Sequence, residues 1–242
     1  MIEIVENLIQ LAMTGTCAGV ALYRALRSRE RAWAMLGLFS GIFFLGDLYW
    51  LLFLIFYENT PRYYSVSDLS WYTSFLFLLL LIIYVRVEIC GHRMPAVETE
   101  GGLRRRLNLF PAVLWCVPAF TALMCAFYMR WGDYLSNVLA AILMTGIIWH
   151  ALSALLASRS QPGQAGEADG PAAKATTSAR QAGLRMFCLV TLLFCAAEYA
   201  LWTASCFWGN EDTLTNIYYW FDLLLSITFV MFLPALGRVV AR

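Results

Sequence analysis

Long runs of apolar residues, separated by short polar stretches, fill most of this 242-residue chain. Each run holds about 20 residues, the length that an α-helix needs to cross about 30 Å of hydrocarbon. The pattern predicts seven such helices, at residues 4–23, 33–56, 69–87, 109–128, 134–157, 186–208 and 217–236. The sequence therefore predicts an all-α fold, a polytopic seven-helix transmembrane bundle.

Composition supports a single membrane domain over residues 1–242. Hydrophobic residues make up 61% of the chain and charged residues 14%, whereas soluble domains have roughly 45–50% and about 25%. The partner that this composition predicts is the lipid bilayer, and no nucleic-acid partner is predicted. The net charge of +1 says nothing about such a partner, because in a membrane protein the placement of the basic residues matters more than their sum. The chain begins MIEIVEN, with acids where a secretory signal carries positive charge, so the first helix is expected to be retained.

Basic residues are distributed unevenly between the two sides of the predicted bundle. One side holds Arg24, Arg27, Arg29, Arg31, Arg86, Arg93, Arg104, Arg105, Arg106, Arg159, Lys174, Arg180, Arg185, Arg238 and Arg242. The other side holds Arg62 and Arg130. Because basic residues flank spans on the cytoplasmic side, the N-terminus is predicted outside and the C-terminus in the cytoplasm, in the plasma or inner membrane of the cell.

The first and last three segments share residues at matching positions. The matched sets are Met13-Thr14-Gly15 with Met144-Thr145-Gly146, Asp47 with Glu198, and Asp68 with Asp222. The matches predict a 3+1+3 parallel repeat, with residues 1–92 as the first unit, 107–129 as a linking helix and 133–242 as the second unit. Residues 160–179, rich in Gly, Ala, Pro and Gln, are predicted to form a disordered cytoplasmic loop. Chance similarity between apolar helices is the alternative to a repeat.

Four carboxyl side chains lie within the predicted spans or at their ends: Asp47, Asp68, Glu198 and Asp222. An acid in hydrocarbon costs about 2.5–3.5 kcal/mol even on the mildest scale, and no Lys or Arg lies in these helices at the same depth. The acids are therefore expected to face the bundle. Their charge is expected to be neutralised by protonation or by a bound cation, or to be hydrated by water. Two alternatives remain open. Asp68 can cap its helix, and Asp47 and Glu198 can be protonated groups with a structural role.

The sixth predicted helix carries a polar stripe. Its members are Cys188, Thr191, Cys195, Glu198, Trp202 and Ser205. They recur at spacings of three and four, which places them on one face of a helix. Lipid offers polar groups no partner, so this face is expected to point into the bundle.

Aromatic residues gather near the acids. Those assigned to the predicted site are Trp50, Trp71, Tyr72, Trp202 and Tyr219. A carboxylate framed by aromatic rings suits an ammonium ligand, so these rings and the four acids form the predicted ligand site. The alternative is an interfacial belt, because Trp and Tyr gather at headgroup depth in most membrane proteins.

No catalytic residue, metal or cofactor is predicted. The sequence has no serine-histidine-acid set, no metal-ligand spacing and no glycine-rich phosphate loop, so no enzyme is expected. His150 is interpreted as a hydrogen-bonded core residue rather than a ligand.

The 3+1+3 layout is similar to that of the PQ-loop and SWEET sugar transporters and, more distantly, to that of microbial rhodopsins. The Pro-Gln dipeptide of the first group is missing from the first and fifth segments. Lys174, the only lysine, lies in a predicted loop, so the last helix has no lysine for a retinal Schiff base.

The favoured function is a receptor or sensor. In this hypothesis an outward-facing acidic and aromatic pocket takes up a small cationic or polar ligand, and the chain signals through a separate membrane or cytoplasmic protein partner. The first alternative is a SWEET-like or proton-coupled small-molecule transporter. The second is an accessory subunit of a larger membrane complex.

Overall fold

Helices account for the regular structure of the part of the chain that the computed structural model describes, residues 2–57, 65–89, 122, 134–159, 171–207 and 213–240. They are α1 (Ile2–Ser28), α2 (Arg31–Tyr57), α3 (Val66–Tyr84), α4 (Tyr134–Arg159), α5 (Pro171–Phe207) and α6 (Ile217–Val240). A π-helical turn, Val85–Ile89, follows α3. Among the described residues, six helices are long and apolar enough to cross a membrane, which confirms the prediction of an all-α, multi-pass protein.

Six of the predicted segments correspond to these helices, while the segment at 109–128, apart from residue 122, and loop residues 160–170 lie outside the described residues. The largest difference is at the start of α5, which begins at Pro171 rather than at residue 186. Residues 171–179, predicted to be disordered, are therefore helical. Proline is favoured at the first helical position, and alanine has the highest helix propensity. Residues 171–179 therefore favour a helix through their local propensity, although their low hydrophobicity predicts disorder.

A tight turn joins α1 to α2 and makes them antiparallel. Arg29 adopts a left-handed conformation with φ 58°, and its backbone N–H donates to the Ala25 carbonyl at 2.8 Å. This is a left-handed helix C-cap. The Arg24 guanidinium lies 4.7 Å from the centre of the Trp33 ring, and this cation–π contact links the two helices beyond the turn.

The helices form a closed ring in chain order, in which each packs on its chain neighbours and α6 packs on α1. Helix α6 also contacts α2. Side-chain contacts show that α3 and α4 run parallel, because Leu79 lies beside Gly146 and Arg86 lies beside His150. By the same criterion α1 and α6 are parallel, since Gln10 contacts Asp222 and Arg24 lies beside Gly237.

The two ends of the ring differ in charge. The first residues of α1, α3 and α6 and the last residues of α2 and α5 lie at one end of the ring. We term this the acidic end. We term the opposite end, which holds the last residues of α1, α3, α4 and α6, the arginine end.

Phenylalanine rings fill the centre of the bundle. The phenylalanine cluster consists of Phe39 and Phe43 of α2, Phe75 of α3, Phe194 of α5, and Phe229 and Phe232 of α6, each at most 3% exposed. Phe229 is central, since its ring stacks at 5.0 Å on Phe39 and lies 4.8 Å from Phe43. Between helices in lipid there is little hydrophobic driving force, so these rings stabilise the bundle mainly by van der Waals packing.

Gly183 permits a close approach of α5 to α6 at the arginine end. A Cβ atom added there would lie 2.8 Å from the backbone carbonyl carbon of Arg238, and a helix backbone cannot move aside without separating the helices. We expect Gly183→Ala to lower the free energy of unfolding by about 1–3 kcal/mol, the usual cost of overpacking. Thermal unfolding of the purified chain in detergent measures the loss.

Gly19→Ala is the matched control for this prediction. Gly19 also lies within a helix, but an added Cβ there has no neighbour within 4 Å. Alanine favours a helix by about 1 kcal/mol over glycine, so the control is expected to be neutral or slightly stabilising. A Gly183→Ala variant with the Tm of the control would show that the helices approach less closely than in this structure.

Candidate functional site

A buried polar face on α1 contributes to the site at the acidic end. Glu6, Asn7, Gln10 and Thr14 are all buried, and spacings of three and four place them on one side of the helix. Polar groups in a membrane-spanning helix need partners within the protein. The partners of this face lie on α6 and α2.

Glu6 and Gln10 link α1 to Asp222 of α6. Gln10 Nε2 donates to Asp222 Oδ1 at 2.6 Å, and both groups are buried. The carboxyl groups of Glu6 and Asp222 also lie within hydrogen-bonding reach of each other. The two carboxyl groups can form a hydrogen bond only when one of them carries a proton. Asn7 Nδ2 donates to Glu6 Oε2 at 3.2 Å.

Asp47 links α2 to α3 and α1. It is 2% exposed, and Trp71 Nε1 donates to its Oδ1 at 3.0 Å. Gly46 leaves room for this contact, because a Cβ there would lie 3.0 Å from Trp71 Nε1. The Thr14 hydroxyl of α1 lies near the Asp47 carboxyl but donates to the Gln10 backbone carbonyl at 2.9 Å. The aspartate is therefore positioned mainly by Trp71 of α3, with α1 close by.

Glu198 is brought to the same place by the polar stripe of α5. Cys188, Thr191, Cys195 and Glu198 are all buried, so this part of the stripe faces the bundle as predicted. The last two members differ, because Trp202 is half-buried and Ser205 is exposed. The Glu198 carboxyl interacts electrostatically with Asp222 and with Asp47. We term Glu6, Asp47, Glu198 and Asp222, which come from α1, α2, α5 and α6, the carboxyl cluster.

The carboxyl cluster lacks a basic counter-charge in the part of the chain that the structure describes. Its electrostatic neighbours there include no Lys, Arg or His. Glu6 Oε1 and Asp47 Oδ2 are buried without a hydrogen-bond partner among the described residues. Unpaired carboxylates are costly to bury, so protons or a bound cation must neutralise the cluster. Within the described ranges, no three or more His, Cys, Asp or Glu side chains are placed to hold a metal ion.

Asp68, the fourth predicted acid, has a local role at the start of α3. The Ser65 backbone N–H donates to Asp68 Oδ2 at 3.1 Å, which is half of a capping box. Asp68 is half-buried, whereas Asp47, Glu198 and Asp222 are each at most 4% exposed. The structure therefore groups those three with Glu6 and shows Asp68 as a capping residue.

The five predicted aromatic residues, Trp50, Trp71, Tyr72, Trp202 and Tyr219, are all half-buried. Trp71 contacts an acid directly through Asp47, and the Trp50 ring packs 5.7 Å from the Trp71 ring. The Trp202 ring lies 6.2 Å from Tyr199. Tyr219 packs 5.8 Å from Tyr218, whose phenol group interacts electrostatically with Glu6, Glu198 and Asp222.

Sequence reasoning gave no site role to Glu6, Gln10, Thr14 or Tyr218. Glu6, Gln10 and Thr14 recur at a spacing of four in the first apolar run. This is the same signal that identified the α5 stripe, so it was sufficient to identify the polar face of α1. No comparable pattern separates Tyr218 from the neighbouring aromatic residues.

A second buried polar contact lies at the arginine end. Arg86 Nη1 is 3.1 Å from His150 Nδ1, and the arginine is 6% exposed. Arg86 is one of the basic residues predicted on the cytoplasmic side, and the π-helical turn places its side chain inside the bundle. This contact agrees with the interpretation of His150 as a hydrogen-bonded residue within the bundle.

Comparison of the chain with protein-family models, with curated proteins and with solved structures gives no match. Functional inference therefore rests on the carboxyl cluster and on the residues that surround it.

Proposed function

We propose that this chain is a receptor-type membrane protein whose carboxyl cluster binds a small organic cation. The supporting observation is that four buried carboxyl groups from four helices meet without a basic neighbour in the described part of the chain. An ammonium group would neutralise the cluster and provide partners for Glu6 Oε1 and Asp47 Oδ2, which have none among the described residues. Trp71 and Tyr218 add aromatic rings, which attract cations.

The site is closed in this structure, so ligand binding requires the acidic end to open. The Gln10–Asp222 hydrogen bond joins α1 to α6 there. A ligand that binds better to an open arrangement shifts the population toward it. One helical turn nearer the arginine end, Phe43 and Phe194 pack on Phe229 of α6. Movement of α6 would therefore be transmitted through the phenylalanine cluster to a separate membrane or cytoplasmic protein that reads the signal.

Seven spans, with the N-terminus outside, are part of the proposal. Because α3 and α4 run parallel, the chain between them has to return from the arginine end to the acidic end. The predicted span at 109–128 would supply that crossing. The arginine end would face the cytoplasm, as the positive-inside rule expects, and the carboxyl cluster would open outward from the plasma or inner membrane.

A transporter is the second candidate, because the carboxyl cluster takes residues from both halves of the proposed repeat. Helices α1 and α2 belong to residues 1–92, and α5 and α6 belong to residues 133–242. In transporters built from repeats, substrate and coupling-ion sites lie at the interface of the repeats. The proton shared by Glu6 and Asp222 would then serve as the coupling ion.

Thermal unfolding of the purified chain in detergent tests the proposed site. Tetramethylammonium is expected to raise Tm above the value in sodium at equal ionic strength, because binding to the native state stabilises it. The substitutions Asp47→Asn, Glu198→Gln and Asp222→Asn should each abolish this shift. Asp68→Asn is the matched control: it changes a carboxyl group at the same end, in the α3 cap, and should retain the shift.

Proteoliposomes distinguish the two candidate functions. Uptake of labelled tetramethylammonium that depends on the same three acids would establish a transporter, whereas binding without uptake supports a receptor. A Tm that no cation changes, or a shift that survives all three substitutions, would contradict the proposed site.

A further inference from the structure

A groove on the outer surface of the bundle lies between α5 and α6 near the arginine end. Its volume is about 600 Å³. Arg185 and Arg238 contribute its basic groups, and its apolar wall includes Leu189, Leu193 and Met231. Leu189 is 59% exposed, so the groove opens laterally, on helices that are long and apolar enough to cross the membrane.

The two arginines of the groove retain N–H groups for an anion. Arg185 is held in place by two hydrogen bonds to Ser158. Its Nη2 donates to the Ser158 backbone carbonyl at 2.7 Å, and its Nε donates to the Ser158 hydroxyl at 3.2 Å. Arg238 Nη1 donates to Met186 Sδ at 3.1 Å, and a thioether is a weak acceptor. Neither arginine is paired with an acidic side chain in the described part of the chain. A guanidinium has five N–H donors, so both can also bind a phosphate.

We propose that this groove binds an anionic phospholipid, with its phosphate at Arg185 and Arg238 and an acyl chain along the apolar wall. Arginine recognises phosphate through paired, charge-assisted hydrogen bonds. Basic pockets between membrane helices bind anionic lipid headgroups in the same way. The proposal is independent of the carboxyl cluster and of the ligand that binds there.

The dimensions of the groove agree with a lipid in one leaflet. From Arg185 to Leu193, α5 rises by about 12 Å, which is comparable to the roughly 15 Å of hydrocarbon in one leaflet. Arg238 lies in the last turn of α6, and its backbone lies beside Gly183, about one helical turn from Ala179, where the membrane-spanning part of α5 begins. The charged groups therefore lie at headgroup depth and the apolar wall lies at acyl-chain depth.

Charge complementarity favours an anionic over a zwitterionic lipid. Phosphatidylglycerol presents a phosphate that carries only an uncharged glycerol, whereas the choline group of phosphatidylcholine would place a positive charge near two guanidinium groups. A free phosphate ion would make the same contacts with the arginines but would leave the apolar wall uncovered. The groove therefore predicts a preference for an intact anionic lipid.

Thermal unfolding in a mild detergent, with one lipid added at a time, tests this site. Phosphatidylglycerol at about ten times its Kd should raise Tm by roughly 3–6 °C, whereas phosphatidylcholine and inorganic phosphate should not. Arg238→Gln should lose at least half of the shift, and the Arg185→Gln/Arg238→Gln double variant should lose nearly all of it. Arg238→Gln leaves the Ser158 contacts of Arg185 intact, so its reduced shift cannot come from misfolding at Ser158.

The matched control is the Arg27→Gln/Arg31→Gln double variant. It removes the same charge from the same end of the bundle, at exposed positions outside the groove, and should keep the full phosphatidylglycerol shift. Equal shifts with the two lipids, or an equal loss in this control, would overturn the proposal. A Tm that rises with protein concentration, and not with added lipid, would also overturn the proposal. A second copy of the chain would then occupy the groove.

Discussion

Phe229→Ala is expected to lower the free energy of unfolding of this bundle by about 2 kcal/mol, mainly through the cavity that it leaves. Phe229 is fully buried at 0% exposure. Its ring lies 5.0 Å from Phe39, 4.8 Å from Phe43 and 5.6 Å from Phe194. The substitution therefore removes the ring that α6 places between the rings of α2 and α5.

The expected loss is smaller than in a soluble protein for a physical reason. In water-soluble cores, Phe→Ala costs about 3–5 kcal/mol, which combines the lost transfer from water with a cavity. In a bilayer the unfolded helix is already in hydrocarbon, so little transfer energy is lost. The cavity remains: at about 24 cal/mol per Å³, a void of about 100 Å³ costs roughly 2 kcal/mol.

Unfolding of the chain in mixed micelles, followed by circular dichroism as a denaturing detergent is added, measures this loss. Val230→Ala is the control, because Val230 is the next residue of α6 but is 39% exposed. It should change the free energy of unfolding by less than about 0.5 kcal/mol, as surface substitutions usually do. Equal losses in the two variants would mean that the phenylalanine cluster does not form the packed centre of the bundle.

Periodicity along the chain predicts much of the fold, because the bilayer requires each apolar segment to form a helix whatever its neighbours are. A run of about 20 apolar residues must form a helix in lipid, so six spans could be located without knowing their neighbours. The buried face of α5 was also predictable, since Thr191, Cys195 and Glu198 repeat at helical spacing and polar groups must avoid lipid. The position of a helix and its buried face both depend on residues close together in the chain, so both can be predicted from the sequence.

The partners of each face could not be predicted, because they depend on how the ring closes. The spacing of Glu6 and Gln10 identifies a polar face, but the contact with Asp222 requires α6 to pack beside α1. Burial of Arg86 likewise depends on a π-helical turn, which a count of basic residues does not reveal. Such contacts join residues that are far apart in sequence, and periodicity within one helix does not encode them.

The pairing of Asp68 with Asp222 in the proposed repeat shows how similar positions can take different roles. Asp68 belongs to a Ser-x-x-Asp pattern that begins at Ser65, and it accepts the Ser65 backbone N–H. At the start of α6 the corresponding cap is Asn216, whose Oδ1 accepts the Tyr218 backbone N–H at 3.1 Å. Asp222 lies further along its helix and is free to bond across the bundle.

Coupling between Gln10 and Asp222 is expected to be the largest between any two side chains of the site. Their hydrogen bond is short at 2.6 Å, fully buried and made between helices α1 and α6. Hydrogen bonds between membrane helices average about 0.6 kcal/mol and reach about 1.7 kcal/mol. Because Asp222 also contacts the Glu6 carboxyl, we expect a coupling energy of about 1–1.5 kcal/mol, toward the upper end of that range.

A double-mutant cycle measures this coupling. Gln10→Met keeps an unbranched side chain of similar length but removes the donor, which leaves Asp222 Oδ1 without this bond. Asp222→Leu removes the acceptor and leaves the Gln10 amide unpaired. Each single variant should lose about 1–3 kcal/mol, the cost of an unsatisfied buried polar group. The double variant should lose less than the sum of the two, because it leaves neither member of the pair unsatisfied.

Thr16→Val is the control on α1, since the Thr16 hydroxyl is exposed and donates at 2.6 Å to the Ala12 carbonyl of its own helix. Combined with Asp222→Leu, it should give losses that add within about 0.3–0.5 kcal/mol. Additive losses for Gln10→Met and Asp222→Leu would show that α1 does not close onto α6 at this point. A measured coupling would instead establish the contact between α1 and α6. If the acidic end opens to admit a cation as proposed, Gln10→Met, which keeps all four acids of the carboxyl cluster, should bind tetramethylammonium faster than the unaltered chain.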